Sequence, residues 1–348
     1  MKIIIPGGSG QVGTLLARDF IADGHEVVVL SRRVRQAPWK MVRWDGETVG
    51  DWAKEIDGAD VVINLAGRSV NCRYHAANRK AIVDSRVKST RAVGEAIAKA
   101  KRPPRVWLQA STATIYSDRY DAANDERTGI LGGAEPGVPS TWRFSIDVAN
   151  AWEHAAEEGV GSLWRAKFNP LAESHSPKTP DPVHSRLPRT RLVLLRSAMT
   201  MSPDRGGIFD TLLGLVRRGL GGTCGSGRQY VSWIHERDFV RAVYWLMEHD
   251  TEGAVNLTAP NPLPNAEFMR DLRLAYGARF GLPASRWMLE IGAIFLRTET
   301  ELILKSRRVV PGRLLEAGFK FEFPTWPEVA KELCARWRAQ AGHHAAQV

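Results

Sequence analysis

The chain has 348 residues, 44% of them hydrophobic, and a formal net charge of +10 at pH 7, enough for one large domain or two smaller ones around a sizeable core. No apolar run approaches the ~18–20 residues that cross a bilayer, and Cys72, Cys224 and Cys334 stand apart with neither metal nor disulfide spacing, so the expectation is a cytoplasmic, reducing location with no membrane and no metal. The positive charge has no dense basic run and no interleaved aromatic stacking motif, which excludes nucleic acid as the expected partner and leaves anionic small molecules.

Met1 leads straight into Lys2-Ile3-Ile4-Ile5, a short buried strand that leaves no room for a signal peptide. Pro6-Gly7-Gly8-Ser9-Gly10-Gln11-Val12-Gly13 follows, then a helical pattern with Val12, Leu15, Leu16 and Phe20 on one face. Glu26 to Leu30 is a second strand. A strand, glycine turn, helix and strand in this order bind a dinucleotide. The glycines let the backbone approach a pyrophosphate, and the helix N-terminus offers it free N–H groups. They can be read as Gly8-x-Gly10-x-x-Gly13 or as Gly7-x-x-Gly10-x-x-Gly13. An acid at the end of the second strand would bond the ribose 2′-OH of NAD. Ser31, Arg32 and Arg33 stand there instead. A hydroxyl and two cations suit a 2′-phosphate, so NADP(H) is expected over NAD(H).

The alternation continues with strands at Met41–Trp44, Asp60–Leu65, Arg105–Ala110 and Arg191–Arg196. A long helix from about His75 to Lys101 ends at Pro103-Pro104, and Trp142 to Glu158 is helical in pattern. Repeated strand–helix units imply an α/β fold of Rossmann type with a doubly wound parallel sheet. Residues 159–189 carry five prolines and read as a loop insertion. Beyond Gly206 come the glycine-rich loop Gly219–Gly227, a helix at Glu236–His249, a strand at Ala254–Leu257 and further helices. The expected division is an NADP-binding domain over 1–205, a smaller and mostly helical C-terminal lobe over 206–338, and a frayed tail over 339–348. There is no internal repeat.

Several segments together resemble one family: Pro6–Gly13, Asn64–Gly67, Ser85-Arg86, Trp152-Glu153, Gly225–His235, Asn256–Pro260, Asn265–Phe268, Arg308–Pro311 and Leu315–Phe319. The chain is similar to the extended short-chain dehydrogenases/reductases of the kind named sugar nucleotide epimerase or NAD-dependent epimerase/dehydratase, which carry a C-terminal domain of unknown function. The resemblance implies that Gly7, Gly10, Gln11, Val12 and Gly13 cradle the pyrophosphate, and that Ser31 and Arg32, beside Arg33, hold the 2′-phosphate. It implies that Leu65, Ala66 and Gly67 pass the ribose nearest the nicotinamide, that Arg86 reaches the cofactor, and that Met199 and Thr200 pass near the nicotinamide. The Gly225–His235 loop would face the substrate through Arg228, Tyr230 and Trp233. The resemblance implies a monomer or a homodimer, paired through the two long helices near the site.

Enzymes of this superfamily move hydride with a Ser/Thr, a Tyr and a Lys four residues later; the Lys lowers the Tyr pKa. Thr112 falls at the hydroxyl position within Ala110–Tyr116, but the helix from Trp142 has no Tyr and no Lys, with Phe144 or Ser145 at the tyrosine position. Three readings follow. The protein is an NADP(H)-dependent epimerase or reductase whose acid/base lies elsewhere, with Tyr116, Tyr230 and His235 as candidates. It is a non-catalytic NADP(H)-binding sensor or partner protein. Or it is a scaffold stabilised by its cofactor. The first is expected, acting on a nucleotide-sugar or another carbonyl or hydroxyl small molecule, with an anionic substrate.

Overall fold

The computed structural model describes residues 1–168, 190–285, 287–289 and 299–345. Ile3, Ile4 and Ile5 are all fully buried although a strand points successive side chains to opposite faces. That requires a layer of helices on each side. The strands β1 (Lys2–Pro6), β2 (Glu26–Ser31), β3 (Lys40–Arg43), β4 (Val61–Asn64), β5 (Val106–Thr112), β6 (Arg191–Ser197) and β10 (Gly253–Leu257) form one parallel sheet, in the order β10-β6-β5-β4-β1-β2-β3. On one face Ile3, Ile5, Val27, Val29 and Ile63 pack with Leu16 and Phe20 of α1 (Gln11–Ala22) and with Phe239 and Val243 of α5 (Glu236–Glu248). On the other, Ile4, Val28, Val62 and Trp107 pack with Val93 and Ile97 of α2 (Ala76–Lys99) and Ala156 of α3 (Ser140–Phe168).

The remaining elements are β7 (Met199–Met201), α4 (Ile208–Arg217), β8 (Tyr230–Val231), β9 (Trp233–His235), β11 (Leu263–Pro264), α6 (Asn265–Tyr276), short helices at Glu301–Leu304 and Gly312–Glu316, and a terminal helix Trp326–Ala345. Phe209, Leu213, Phe268, Trp326 and Leu333 make a separate core there, with Phe268 stacked on Trp326 at 3.9 Å. This is the smaller, mostly helical region expected from the sequence.

Three expectations differ from the fold. The second half of the chain returns to the large sheet through α5 and β10, because the apolar face of α5 covers β1 and β2. The helix expected to stop at Glu158 runs to Phe168, since Gly159 is a packing site and not a breaker. A Cβ there would meet the Trp107 ring at 3.2 Å and Gly94 Cα at 3.5 Å, so the two glycines let α2 and α3 approach closely. The rest of the proline-rich stretch, 169–189, lies outside the described residues. The tail expected from residue 339 is helical to Ala345, and Arg338 anchors it by donating to the Tyr276 carbonyl at 2.7 Å. Among the described residues no helix is long and apolar enough to cross a membrane, and no cluster of His, Cys, Asp or Glu could hold a metal ion.

Candidate functional site

The strand order reverses between β1 and β4, which is where open α/β sheets bind ligands. The glycine turn occupies that point. Gly7 has φ +74°, and a Cβ on it would lie 2.5 Å from Ala66 Cα. A Cβ on Gly13 would lie 2.4 Å from Gly8 Cα, so the turn can fold against α1 only as glycine. The N-terminus of α1 has Gly10 as its cap, no side-chain capping bond and no acid in its first turn. Its N–H groups and positive dipole end are therefore open to an anion. Gln11 Nε2 is buried among the described residues without a partner, and lies against Gly207. Leu65 donates to the Pro6 carbonyl at 2.8 Å and Ala66 to Asn64 Oδ1 at 3.1 Å. These bonds bring Leu65, Ala66 and Gly67 to the turn, beside Gln11 and Val12.

At the end of β2 the Ser31 hydroxyl donates to Ser9 Oγ at 3.0 Å, which ties it to the glycine turn. Arg32 and Arg33 are exposed beside it. Arg35 donates to the Ser9 carbonyl at 3.3 Å and adds a third guanidinium. A dinucleotide with a 2′-phosphate fits this set: an orphan amide donor, an uncapped helix, a cradle without Cβ atoms, and cations without an acid.

Beyond Gly67 opens a pocket of about 110 Å³ whose walls include Tyr74, Arg86, Thr112, Phe144, Ser145 and Glu301. Thr112 closes β5, and its Oγ1 accepts from the Thr114 N–H at 3.2 Å. Arg86 lies across the Trp152 ring at 4.8 Å and donates to the carbonyls of Arg68 and Ile82. It pairs with no carboxylate among the described residues, and burial lowers its pKa to about 10. Ser145 donates to Glu301 Oε2 at 2.5 Å, and Arg307 Nη2 reaches Glu301 Oε1 at 3.3 Å. Lys305 is buried beside them, donating to the Thr114 carbonyl at 2.7 Å. Burial, reinforced by Arg307, lowers its pKa to about 8. Ala149, four residues after Ser145, is fully buried near Ile115 and Tyr116.

A second cavity of about 370 Å³ is lined by Tyr120, Ser226, Gly227, Arg228, Tyr230 and Glu267, among others. Arg228 and Tyr230 therefore share one cavity. Trp233 does not join them: it is fully buried in the smaller core, 5.3 Å from Trp326. Met199 and Thr200 pair with Trp233 and Ile234 directly after β6.

Two expected acid/base residues are committed elsewhere. The Tyr116 hydroxyl receives Arg196 Nη1 at 3.0 Å and donates to Asn256 Oδ1 at 3.0 Å, and burial raises its pKa. His235 is fully buried, stacked on Phe323 at 3.9 Å. Its Nδ1 accepts from the Arg237 N–H at 3.1 Å, capping α5, and its Nε2 meets Glu332 at 3.2 Å. Its place is a helix cap, because the strand β9 ends where α5 begins.

A family model described as NAD dependent epimerase/dehydratase family matches residues 3–131, and a domain of unknown function matches residues 284–333. The chain is 31% identical to the epimerase family protein SDR39U1 of Bos taurus over 342 residues, covering 96% of this chain and 100% of that protein. The chain belongs to the epimerase family. A member from Bacillus subtilis, YfhF, is 28% identical over 334 residues, covering 93% of this chain and 94% of its own length. Among solved structures, human SDR39U1 (isoform 2), crystallised with NADPH, superposes with a TM-score of 0.76 at 27% identity, over 96% of this chain and 99% of that one. In this epimerase family chain the sequence reading did not single out Tyr74, Arg35, Glu301, Lys305 or Arg307 as site residues. Arg35 was within reach of it, two residues beyond Arg33. The others had no local signal, since Tyr74 sits in an irregular loop and the other three come from the far end of the chain.

Proposed function

We propose that this chain binds NADP(H) in preference to NAD(H) and works on a small carbonyl or hydroxyl compound with an anionic end. The observation that carries the reading is the pocket at the end of β5, where the Thr112 hydroxyl and the Arg86 guanidinium face one small space just past Gly67. When bound, the cofactor supplies or accepts hydride. The open N-terminus of α1 and Gln11 Nε2 hold the pyrophosphate, with Gly7, Gly10, Val12 and Gly13 forming its cradle. Ser31, Arg32, Arg33 and Arg35 hold the 2′-phosphate. Leu65, Ala66, Gly67, Met199 and Thr200 flank the nicotinamide end, and Arg86 lends positive charge. Thr112 orients the reacting oxygen, and Arg228 and Tyr230 hold the anionic end of the substrate. The NADPH bound to human SDR39U1 supports this choice of cofactor.

Ala149 favours one other reading, a non-catalytic NADP(H) sensor, because no ammonium group stands where the superfamily places its lysine. The chain has 12 Trp, so energy transfer to reduced nicotinamide reports binding. Charge-assisted bonds to the 2′-phosphate predict NADPH binding about 10–100-fold tighter than NADH. Arg32→Glu with Arg33→Glu should erase that ratio. Equal affinities in the wild type would refute the preference. NADPH binding with no oxidation across a pool of carbonyl compounds would favour the sensor.

A further inference from the structure

We infer that the phenol of Tyr74 is the proton donor of this site, in the place left open by Ser145 and Ala149. The inference rests on the cofactor reading above.

Tyr74 does not come from α3, where the superfamily carries its tyrosine. It comes from the loop that leads into α2 and lines the same pocket as Thr112. Its position is fixed on three sides. Its N–H donates to Glu299 Oε1 at 2.6 Å, its carbonyl accepts from Arg79 Nε at 2.8 Å, and its ring meets Phe144 edge-on at 5.1 Å. Such anchoring gives a reacting group a defined direction. The short side chain of Ser145 leaves room that a tyrosine at 145 would fill, and the Tyr74 phenol interacts with the Ser145 hydroxyl.

The surroundings keep the phenol protonated. Burial pushes the Tyr74 pKa up to about 12, against the pull of Ser145 and of the Arg307 guanidinium. The Glu301 carboxylate raises the Tyr74 pKa further, and the Arg307 guanidinium bonded to it offsets part of that. Ser145, Glu301 and Arg307 are positioning residues. The other tyrosines are placed elsewhere. Tyr116 is bonded to Arg196 and Asn256, Tyr120 and Tyr230 line the larger cavity, Tyr244 bonds Asp23, and Tyr276 lies under Arg338.

In a carbonyl reduction the protonated phenol would serve as the acid. Bound NADPH would supply the hydride to a carbonyl carbon, with the C=O π pair moving onto oxygen. That oxygen takes the proton from Tyr74, the O–H bond breaks, and the tyrosinate regains a proton from water. The role proposed for Tyr74 is this proton transfer to a carbonyl oxygen.

The test is a titration of the full chain labelled with ¹³C at the tyrosine ζ carbon, alone and saturated with NADP⁺, with Tyr74→Phe assigning the resonance. The positive ring of NADP⁺ beside the phenol should lower the Tyr74 pKa by about one unit or more, with the other tyrosines unmoved. Tyr74→Phe should keep NADPH affinity and lower any carbonyl reduction by about 10²–10⁴-fold. A Tyr74 resonance that titrates identically with and without saturating NADP⁺ overturns the inference and leaves the cofactor reading standing. Failure of NADP⁺ to bind, read by the fluorescence titration, overturns both.

Discussion

Replacing Arg196 by methionine should unfold the protein at a markedly lower temperature, because it strands a buried carboxylate. Arg196 Nε and Nη2 grip Glu153 at 2.9 and 2.7 Å, and the Ser111 hydroxyl donates to the same carboxylate at 2.5 Å. Both charged side chains are about nine-tenths buried. Breaking such a pair from one side costs about 3–5 kcal/mol, since the remaining charge loses its partner without regaining water. At about 2.1 cal/mol/K per residue, the 348 residues unfold with an entropy of ~0.7 kcal/mol/K, so Tm should fall by about 4–7 °C. The assay is thermal unfolding followed by circular dichroism, for Arg196→Met alone and with Glu153→Leu. The double variant should recover most of the loss, because a hydrophobic pair of similar volume needs no desolvation of charge. A single variant within about 1 °C of the wild type, or a double variant less stable than the single, would refute the reasoning.

Gly13→Ala should lower NADPH affinity by about 100-fold or more and destabilise the chain by about 1–3 kcal/mol, since its Cβ meets the Gly8 backbone and no side chain can move aside. Normal affinity in the fluorescence titration would contradict the close approach at the turn. Burial holds His235 below its ordinary pKa of 6.5 in the folded chain, so the unfolded chain takes up that proton first. Its contribution to stability is complete above 6.5 and falls as pH drops from there toward the folded value, and His235→Asn, which keeps a capping acceptor, should flatten that fall. Urea midpoints at about pH 7.5 and 5.5 decide it: an equal drop in wild type and variant would remove His235 from the account.

The sheet was legible because its signal is local. Ile3-Ile4-Ile5 and Val27-Val28-Val29 are continuous apolar runs between turn residues, and such runs become strands covered on both faces. The turn from Gly7 to Gly13 and the Ser31–Arg33 end of β2 were equally local. The loop expected from residue 159 rested on prolines that begin only at Pro170, while the contact that lets α3 continue past Gly159 is with Gly94 on another helix. Tyr116 drew attention by standing near Thr112, but the 3₁₀ turn Ala113–Ile115 between them turns it toward Asn256 and Arg196. Tyr74 and Glu299 are bonded across a separation of 225 residues. No window on the sequence spans that distance, and neither residue has a periodic or motif context to mark it.

The same bond divides the molecule's vulnerabilities. The groups that would hold the 2′-phosphate and the pyrophosphate lie between Gly7 and Gly67, on turns anchored at the ends of the buried strands β1, β2 and β4. The charged wall of the small pocket is borrowed from residues 299–307, a stretch with only the short Glu301–Leu304 helix, tied by bonds to Tyr74, Asp118, Ser145 and Tyr230. Gentle heating or a low dose of denaturant should release the borrowed wall first. The protein then passes through a condition in which it still grips a dinucleotide but has lost the geometry for doing anything with it.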